Sequence, residues 1–292
     1  MSVETVAVTG GNGFLGAAIL EAITDHGYRS VNLARGKQRE DVSDAYYTTN
    51  LLDAGEVYGA LARSDADAVI HMGSIPTPQT HPGFRTYESN VMSGYNILEA
   101  ATQLELDSIC LASSINAVGG TFQESPMEVS VLPIDEAHPQ TPRDPYSLAK
   151  HALEVTADGF GRKADSPVIS SIRYPAVMDE AVLSEITGPE FSLEELETDE
   201  SWLREELFTY LHLDDATSIA RKAIEASHDG HERFWAVAKD TRVTQPTAEI
   251  AEAIYPDAEI RDPFEGTEGL IDISKAKRLL DWEPTHSWRD FD

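Results

Sequence analysis

Tyr146 and Lys150 stand four residues apart in Tyr146-Ser147-Leu148-Ala149-Lys150, a spacing that sets a phenol and an ammonium on one face of a helix turn. An ammonium held beside a phenol favours the phenolate. It lowers the tyrosine pKa toward a range where the side chain exchanges protons with a substrate hydroxyl. The chemistry implied is interconversion of an alcohol and a carbonyl. The same five residues also describe a plain helix with a half-buried aromatic and a solvated amine, so their meaning depends on what surrounds them.

A second candidate lies near the start of the chain. Thr9-Gly10-Gly11-Asn12-Gly13-Phe14-Leu15-Gly16 sits where an apolar strand pattern, Val3 to Thr9, hands over to a helical stretch, Phe14 to His26. Glycine allows a tight turn and close backbone approach, and a helix N-terminus offers unpaired N–H groups and a positive dipole end to a pyrophosphate. Gly10, Gly13 and Gly16, with Asn12, Phe14 and Leu15 in the same turn, are therefore read as dinucleotide-binding residues. The three-and-three glycine spacing differs from the commoner fingerprint but permits the same mechanics. After the second strand, Val31-Asn32-Leu33-Ala34-Arg35-Gly36-Lys37 lacks the acid that usually meets the ribose hydroxyls of NAD. Arg35 and Lys37 are instead available to a 2′-phosphate. NADP is the expected cofactor, with NAD the alternative.

The elements that must position these groups alternate. Strand patterns occupy Val3–Thr9, Arg29–Ala34, Ala45–Thr49, Ala68–Met72, Ser108–Ala112, Val168–Tyr174 and Phe234–Ala238. Helical patterns occupy Phe14–His26, Val57–Arg63, Tyr87–Gln103, Tyr146–Phe160 and Thr247–Ile254. Strands separated by helices require crossover connections, hence an α/β fold with a doubly wound, Rossmann-like parallel sheet. The alternation weakens after Tyr174, where an acidic stretch from Met178 to Glu206 reads as an insertion. The expected division is a dinucleotide-binding lobe over residues 1–173 with 208–240 returning to it, and a smaller, C-terminal substrate lobe from 174–207 and 241–292.

The chain carries 51 acidic and 22 basic residues, a formal net charge of -29. Such a field repels nucleic acid. The acids are spread along the chain, which reads as a solvated acidic surface of the kind found in proteins of salt-loving microbes, where ionic strength screens self-repulsion. No apolar run is long enough to span a bilayer and no secretory leader is evident, so a cytoplasmic location is expected. The single cysteine, Cys110, lies in an apolar strand and excludes an internal disulfide. The nine histidines suggest no metal site; His228-Asp229-Gly230-His231 reads as a turn with solvated side chains.

With these segments in hand, the chain resembles the extended short-chain dehydrogenase/reductase family, which includes sugar epimerases, dehydratases and sugar dehydrogenases. Beyond Gly10–Gly16 and Tyr146/Lys150, the likeness extends through Asn50-Leu51, His71-Met72-Gly73-Ser74, Asn90 to Asn96, Leu111-Ala112-Ser113-Ser114, Arg173-Tyr174-Pro175, His212-Leu213-Asp214-Asp215 and Asp272 to Lys277. The resemblance implies that Tyr146 is the acid/base, that Lys150 lowers its pKa and holds the nicotinamide ribose, and that Ser114, with Ser113 as its rival, bonds the reacting oxygen. It implies that Asn50, Leu51, Met72, Gly73, Asn90 and Tyr174 join the cofactor site. Ser74, Ile115, Asn116 and Ala176 would face the substrate. Val118 departs from the family by replacing an aromatic often found after the serine segment. Many relatives pair through two helices, here Tyr87–Gln103 and Tyr146–Phe160, which implies a homo-oligomer.

Within the family, the His71–Ser74 and Ser113–Asn116 segments and the chain length look most like uronate dehydrogenases and aldose 1-dehydrogenases. Uronate enzymes hold the sugar carboxylate with an arginine beyond the strand equivalent to Ile172-Arg173. Here Met178 to Glu185 contains none and carries acids, so a carboxylate would lack its charge-assisted partner. The expected reaction is oxidation of a neutral, L-arabinose- or galactose-like aldose at C1 to a lactone. A sugar or nucleotide-sugar epimerase, a uronate dehydrogenase and a non-catalytic dinucleotide sensor are the alternatives.

Overall fold

The computed structural model describes residues 3–38, 42–123, 127–186, 204 and 206–291. In chain order the first half runs β1 (Thr5–Thr9), α1 (Phe14–Asp25), β2 (Arg29–Ala34), β3 (Ala45–Thr48), α2 (Ala54–Ser64), β4 (Ala68–His71), α3 (Gly83–Gln103) and β5 (Ser108–Ser114). A short 3-10 turn, Ile115–Val118, follows, then β6 (Val131–Leu132), α4 (Pro145–Gly161), β7 (Val168–Tyr174), β8 (Val177–Met178) and α5 (Glu180–Ile186). The remainder comprises β9 (Leu211–His212), α6 (Leu213–Ile224), β10 (His231–Trp235), α7 (Thr247–Ile254), β11 (Glu259–Ile260) and α8 (Ser274–Leu280).

Seven strands form one parallel sheet in the order β10-β7-β5-β4-β1-β2-β3. Its central strands are buried because each face is covered: all five residues of β1 and all four of β4 are buried. One face packs Val6, Val8, Ile70 and Ile172 against α1 and α6, through residues such as Ile19 and Ile219. The other packs Ala7, Val31, Val69 and Ile109 against α2, α3 and α4, through Leu61, Ile97 and Leu153. A third cluster, with Trp235, Val243, Ile250 and Leu270, forms beside β10. Strand order reverses between β1 and β4, so the crevice that a doubly wound sheet offers to ligands opens at the C-terminal ends of those strands.

Most of the expected elements fall where the sequence pattern puts them, three are displaced or extended, and the helices α5, α6 and α8 are not among those expected. The strand expected at Ser108–Ala112 runs on to Ser114, and the helix expected from Tyr87 begins at Gly83. The last strand of the sheet is His231–Trp235, three residues earlier than the apolar run Phe234–Ala238 implies; Ala236 and Ala238 instead donate to Arg173 O and Tyr210 O. The acidic insertion expected from Met178 to Glu206 falls mainly on residues 187–203 and 205, outside the described residues. No helix among the described residues is long and apolar enough to cross a membrane.

Candidate active site

The crevice at the strand-order reversal is a cavity of about 330 Å3. Gly10, Asn12, Gly13, Arg35, Asn50, Leu51, Met72, Gly73 and Ser74 line it, which brings together nine residues selected from the sequence. The backbone turn explains its glycines. Gly10 has φ +71°, and a Cβ there would stand 2.9 Å from the Gly73 backbone. A Cβ on Gly16 would drive into Gly10 O, so α1 closes on the loop only without one. Gly13 N donates to Gly10 O at 2.9 Å. These close approaches leave a backbone-lined cradle at the N-terminus of α1, which fits a pyrophosphate.

The opposite wall is fixed by buried polar contacts. Thr9 Oγ1 lies 2.7 Å from His71 Nδ1 and accepts from Gly73 N at 3.1 Å, tying the ends of β1 and β4 together beneath the crevice. Burial, with the Lys150 ammonium nearby, pushes the His71 pKa down to about 3 and keeps it neutral. Asn90 does not reach the crevice itself: its amide clamps Ile75, accepting from Ile75 N at 2.7 Å and donating to Ile75 O at 2.9 Å. Asn50 is held by its own N–H, which donates to Glu56 at 2.7 Å from the first turn of α2. Among the described residues no carboxylate lines the crevice, and Arg35 is exposed at the end of β2. Phe14 is exposed at the start of α1, whereas Leu15 packs on the core, and neither side chain lines the crevice.

Ser114 and Tyr146 meet at the end of β5. Asp144 caps α4, its Oδ1 accepting from Tyr146 N at 2.9 Å and Ser147 N at 3.0 Å, and Pro145 supplies a preset first helical residue. The Tyr146 phenol faces the Ser114 hydroxyl, which favours its ionised form, and the Ser114 hydroxyl accepts from Asn116 N at 3.2 Å. Pleating sets which serine faces the phenol. Ser113 points to the other face of β5 and donates to Glu154 at 2.6 Å.

Lys150 is buried on the turn after Tyr146, but its ammonium is not spent on the phenol. It donates to Ala112 O at 2.6 Å and to the crevice residue Ser74 at 3.5 Å, and lies 5.6 Å from the centre of the Tyr146 ring. The expectation of a lowered tyrosine pKa is therefore not met in this geometry. Burial pushes the phenol up to about 12, with the Asp144 charge adding and the Ser114 hydrogen bond opposing. Burial likewise lowers Lys150 to about 8, against the attraction of Glu154.

Glu154, one turn further along α4, anchors the rear of the site and escaped sequence reasoning. Burial alone would raise its pKa, but Arg173, Ser113 and Arg233 hold it at about 2. Arg173 grips it through Nε at 3.0 Å and Nη2 at 2.8 Å, and Arg233 and Gln140 donate to it at 2.9 and 2.8 Å. The glutamate four residues beyond Lys150 was the available signal.

Other expected residues are placed elsewhere. Tyr174 is core: its hydroxyl donates to Ala216 O at 3.2 Å, away from the crevice. Ile115 is likewise packed in the third apolar cluster. Asn116 is buried with its Oδ1 unpartnered among the described residues, and Ala176 packs at the edge of a small cluster with Met178 and Tyr210. His228 and His231 are not solvated: they bond Ser170 at 2.9 Å and Ser171 at 2.8 Å, and His231 also meets Asp158 at 2.8 Å. The cause is the strand that starts at His231, where a turn was expected. His212, Asp214 and His286 come within reach of one cation. However, His212 Nδ1 already accepts from Asp214 N at 3.1 Å, and the two imidazoles stack at 4.1 Å and 23°, so their in-plane lone pairs do not converge.

Residues 6–177 match the model of the NAD dependent epimerase/dehydratase family. The chain belongs to that family. Relatives within it include a UDP-glucose 4-epimerase of Rhizobium meliloti, 23% identical over 98% of this chain and 94% of the relative. A candidate UDP-glucose 4-epimerase of Methanocaldococcus jannaschii is 29% identical over 51% of this chain and 48% of its own length. Several other curated relatives are likewise spanned over only about half of their length. Similar solved epimerase/dehydratase folds include a Thermotoga maritima UDP-glucose 4-epimerase with UDP-glucose (TM-score 0.70, 20% identity, 97% of this chain and 94% of the other). A mutated uronate dehydrogenase is another (TM-score 0.70, 20% identity, 99% and 84%).

Proposed function

We propose that this chain is a cytoplasmic sugar 1-dehydrogenase that oxidises a neutral, L-arabinose- or galactose-like aldose to its lactone, preferring NADP to NAD. One observation carries the reading: a buried phenol facing Ser114 stands beside a backbone-lined crevice whose ribose end has Arg35 and, among the described residues, no carboxylate. An arginine there suits a 2′-phosphate, whereas an acid would repel it. Neutral sugars are favoured because Met178 to Glu185 offers no arginine to a substrate carboxylate.

When bound, the dinucleotide supplies a nicotinamide that takes up or returns a hydride. The chain's own work is protonic. Ser114 hydrogen-bonds the C1 oxygen, and Tyr146, once ionised, removes its proton. Lys150 supplies a donor to the ribose at Ser74. Asn116 offers its unpartnered Oδ1 to a further sugar hydroxyl. In this reading residues 1–173 and 208–240 hold the cofactor, and 174–207 and 241–292 hold the sugar. Pairing through α3 and α4 is supported by exposed Phe84, Tyr87, Met92, Tyr95, Leu148 and Val155 on those helices.

A second reading, nucleotide-sugar epimerisation, is favoured by the names of the relatives, most of them UDP-glucose 4-epimerases. Absorbance assays of NADP and NAD reduction across free aldoses, uronates and UDP-sugars separate the two. Net reduction of NADP by a free aldose is expected. Interconversion of a nucleotide sugar without net reduction would replace the dehydrogenase reading by the epimerase one, and tight NADP binding with no turnover of any sugar would favour a sensor.

A further inference from the structure

We infer that Phe122 is a specificity-determining wall of the sugar site, which packs on the Tyr146 ring and limits how large a ring can present its hydroxyl to Tyr146 and Ser114. The inference rests on the reading of Tyr146 as the acid/base.

Phe122 lies eight residues after Ser114, in a segment that has no regular structure to hold it. After the 3-10 turn the chain reverses at Gly119, φ +100°, where a Cβ would stand 3.0 Å from Thr141 O. Thr141 N donates to Val118 O at 3.1 Å, which pins this reversal to the segment leading into α4. Phe122 then adopts φ +69°. A bulky side chain in that left-handed region is strained and persists only where its surroundings impose it.

The imposing contact comes from its neighbour. Gln123 donates to Asp144 Oδ2 at 2.6 Å and accepts from Arg143 N at 2.9 Å. The other oxygen of the same carboxylate caps the turn that carries Tyr146. One side chain thus sets both rings, which meet edge to face at 6.1 Å and 87°. Phe122 belongs to none of the four apolar clusters of the fold and is only half-buried. A strained aromatic that is clamped beside a reacting group, yet adds nothing to a core, is placed for a ligand. A sugar is a suitable one: with a hydroxyl on Tyr146 and Ser114, its adjoining C–H surface meets the Phe122 ring, while its other hydroxyls stay free for polar partners.

The ring also withholds water from the phenol, whose raised pKa stems first from burial. The charged and titratable groups around Tyr146 are Asp144 before it on the helix cap, Lys150 after it, and His71 of β4 beyond Lys150. None is altered by a change at Phe122.

Two variants test the wall. Phe122→Gly removes the ring at a φ that glycine adopts without strain, so folding is not put at risk, and Phe122→Leu keeps apolar volume without an aromatic face. For Phe122→Gly, kcat/KM for the preferred aldose should fall about tenfold or more, chiefly through KM, and bulkier sugars should gain on it by a similar factor. Phe122→Leu should fall between, and NADP affinity should stay within about twofold because Phe122 does not line the dinucleotide crevice. Alkaline absorbance titration, with Tyr146→Phe as the reference that removes this phenol, should show the Tyr146 phenol ionising at lower pH in Phe122→Gly. An unchanged sugar profile together with an unmoved phenol overturns the inference. If wild-type protein turns over no sugar, the dehydrogenase reading fails on that result, and the titration alone decides the wall: a phenol that moves supports it and one that does not overturns it.

Discussion

Tyr146 and Lys150 are neighbours by helix spacing, yet their energetics are decided by what else each touches. Lys150 satisfies its charge on the Ala112 carbonyl, and Tyr146 loses more to burial than it gains from Ser114. The phenol is thus a proton donor at neutral pH, and the base form needed for oxidation is scarce there. The sign follows: kcat for alcohol oxidation should climb as pH rises through the neutral and mildly alkaline range, and carbonyl reduction should decline over the same range. Tyr146→Phe should lower kcat by about 10²–10⁴, the usual worth of a positioned acid/base. Dinucleotide affinity, read by protein fluorescence, should hold within about twofold, because removing one hydroxyl leaves the Gly10–Gly73 cradle intact. Near wild-type turnover in this variant would remove Tyr146 from the chemistry.

Helix α4 is the element on which these residues are hung, and its buried rear face is ionic. Lys150, Glu154 and Asp158 follow one another at helical spacing, and Arg173 and Arg233 reach in from β7 and β10 to hold the two acids. This network fixes the helix against the strand end that carries Ser113 and Ser114. Glu154→Gln should cost about 3–5 kcal/mol in urea unfolding, since it leaves buried guanidinium charge uncompensated, and a loss below about 1 kcal/mol would assign the network to surface-like status. The linkage has a definite sign. The carboxyl of Glu154 is held at about 2, below its ordinary value, so its contribution is complete above the unfolded carboxylate range and is lost as pH falls toward 2. Wild type should therefore lose stability across that acid window more steeply than Glu154→Gln.

Sequence pattern located α4 because Tyr146, Ala149, Leu153 and Phe160 repeat at helical spacing, and it located the central strands of the sheet because doubly covered strands are continuous apolar runs, while the polar edge strand β10 was displaced by three residues. It missed α6, whose buried stripe of Ala216, Ala220 and Ala223 beside Ile219 is a faint apolar signal. The family resemblance put Ser114 ahead of Ser113, but pattern alone carries no such ranking, since it depends on which face of the pleat each occupies. Phe122 was invisible because a residue in an irregular turn acquires its neighbour only from tertiary contacts.

At the scale of the whole molecule the governing quantity is the net charge of -29. The Arg173–Glu154 ion pair is wholly buried and beyond the reach of screening, whereas pairs such as Lys277–Glu283 are open to water. Added salt therefore weakens a few exposed attractions but relieves the far more numerous repulsions among 51 acids facing 22 bases. The balance favours the folded state, in which those acids are closest together. Raising potassium chloride from about 0.1 M to about 1 M shortens the screening length from about 10 Å to about 3 Å. The melting temperature should rise by about 5 °C or more, equivalent to roughly 3 kcal/mol for a chain of this size. An uncharged osmolyte at matched osmolarity should reproduce only a fraction of that rise, because it leaves the charges unscreened. A melting temperature that is flat or falling with salt would mean that the acidic surface is already neutralised by its own pairing, and the composition would then carry no adaptation to high ionic strength.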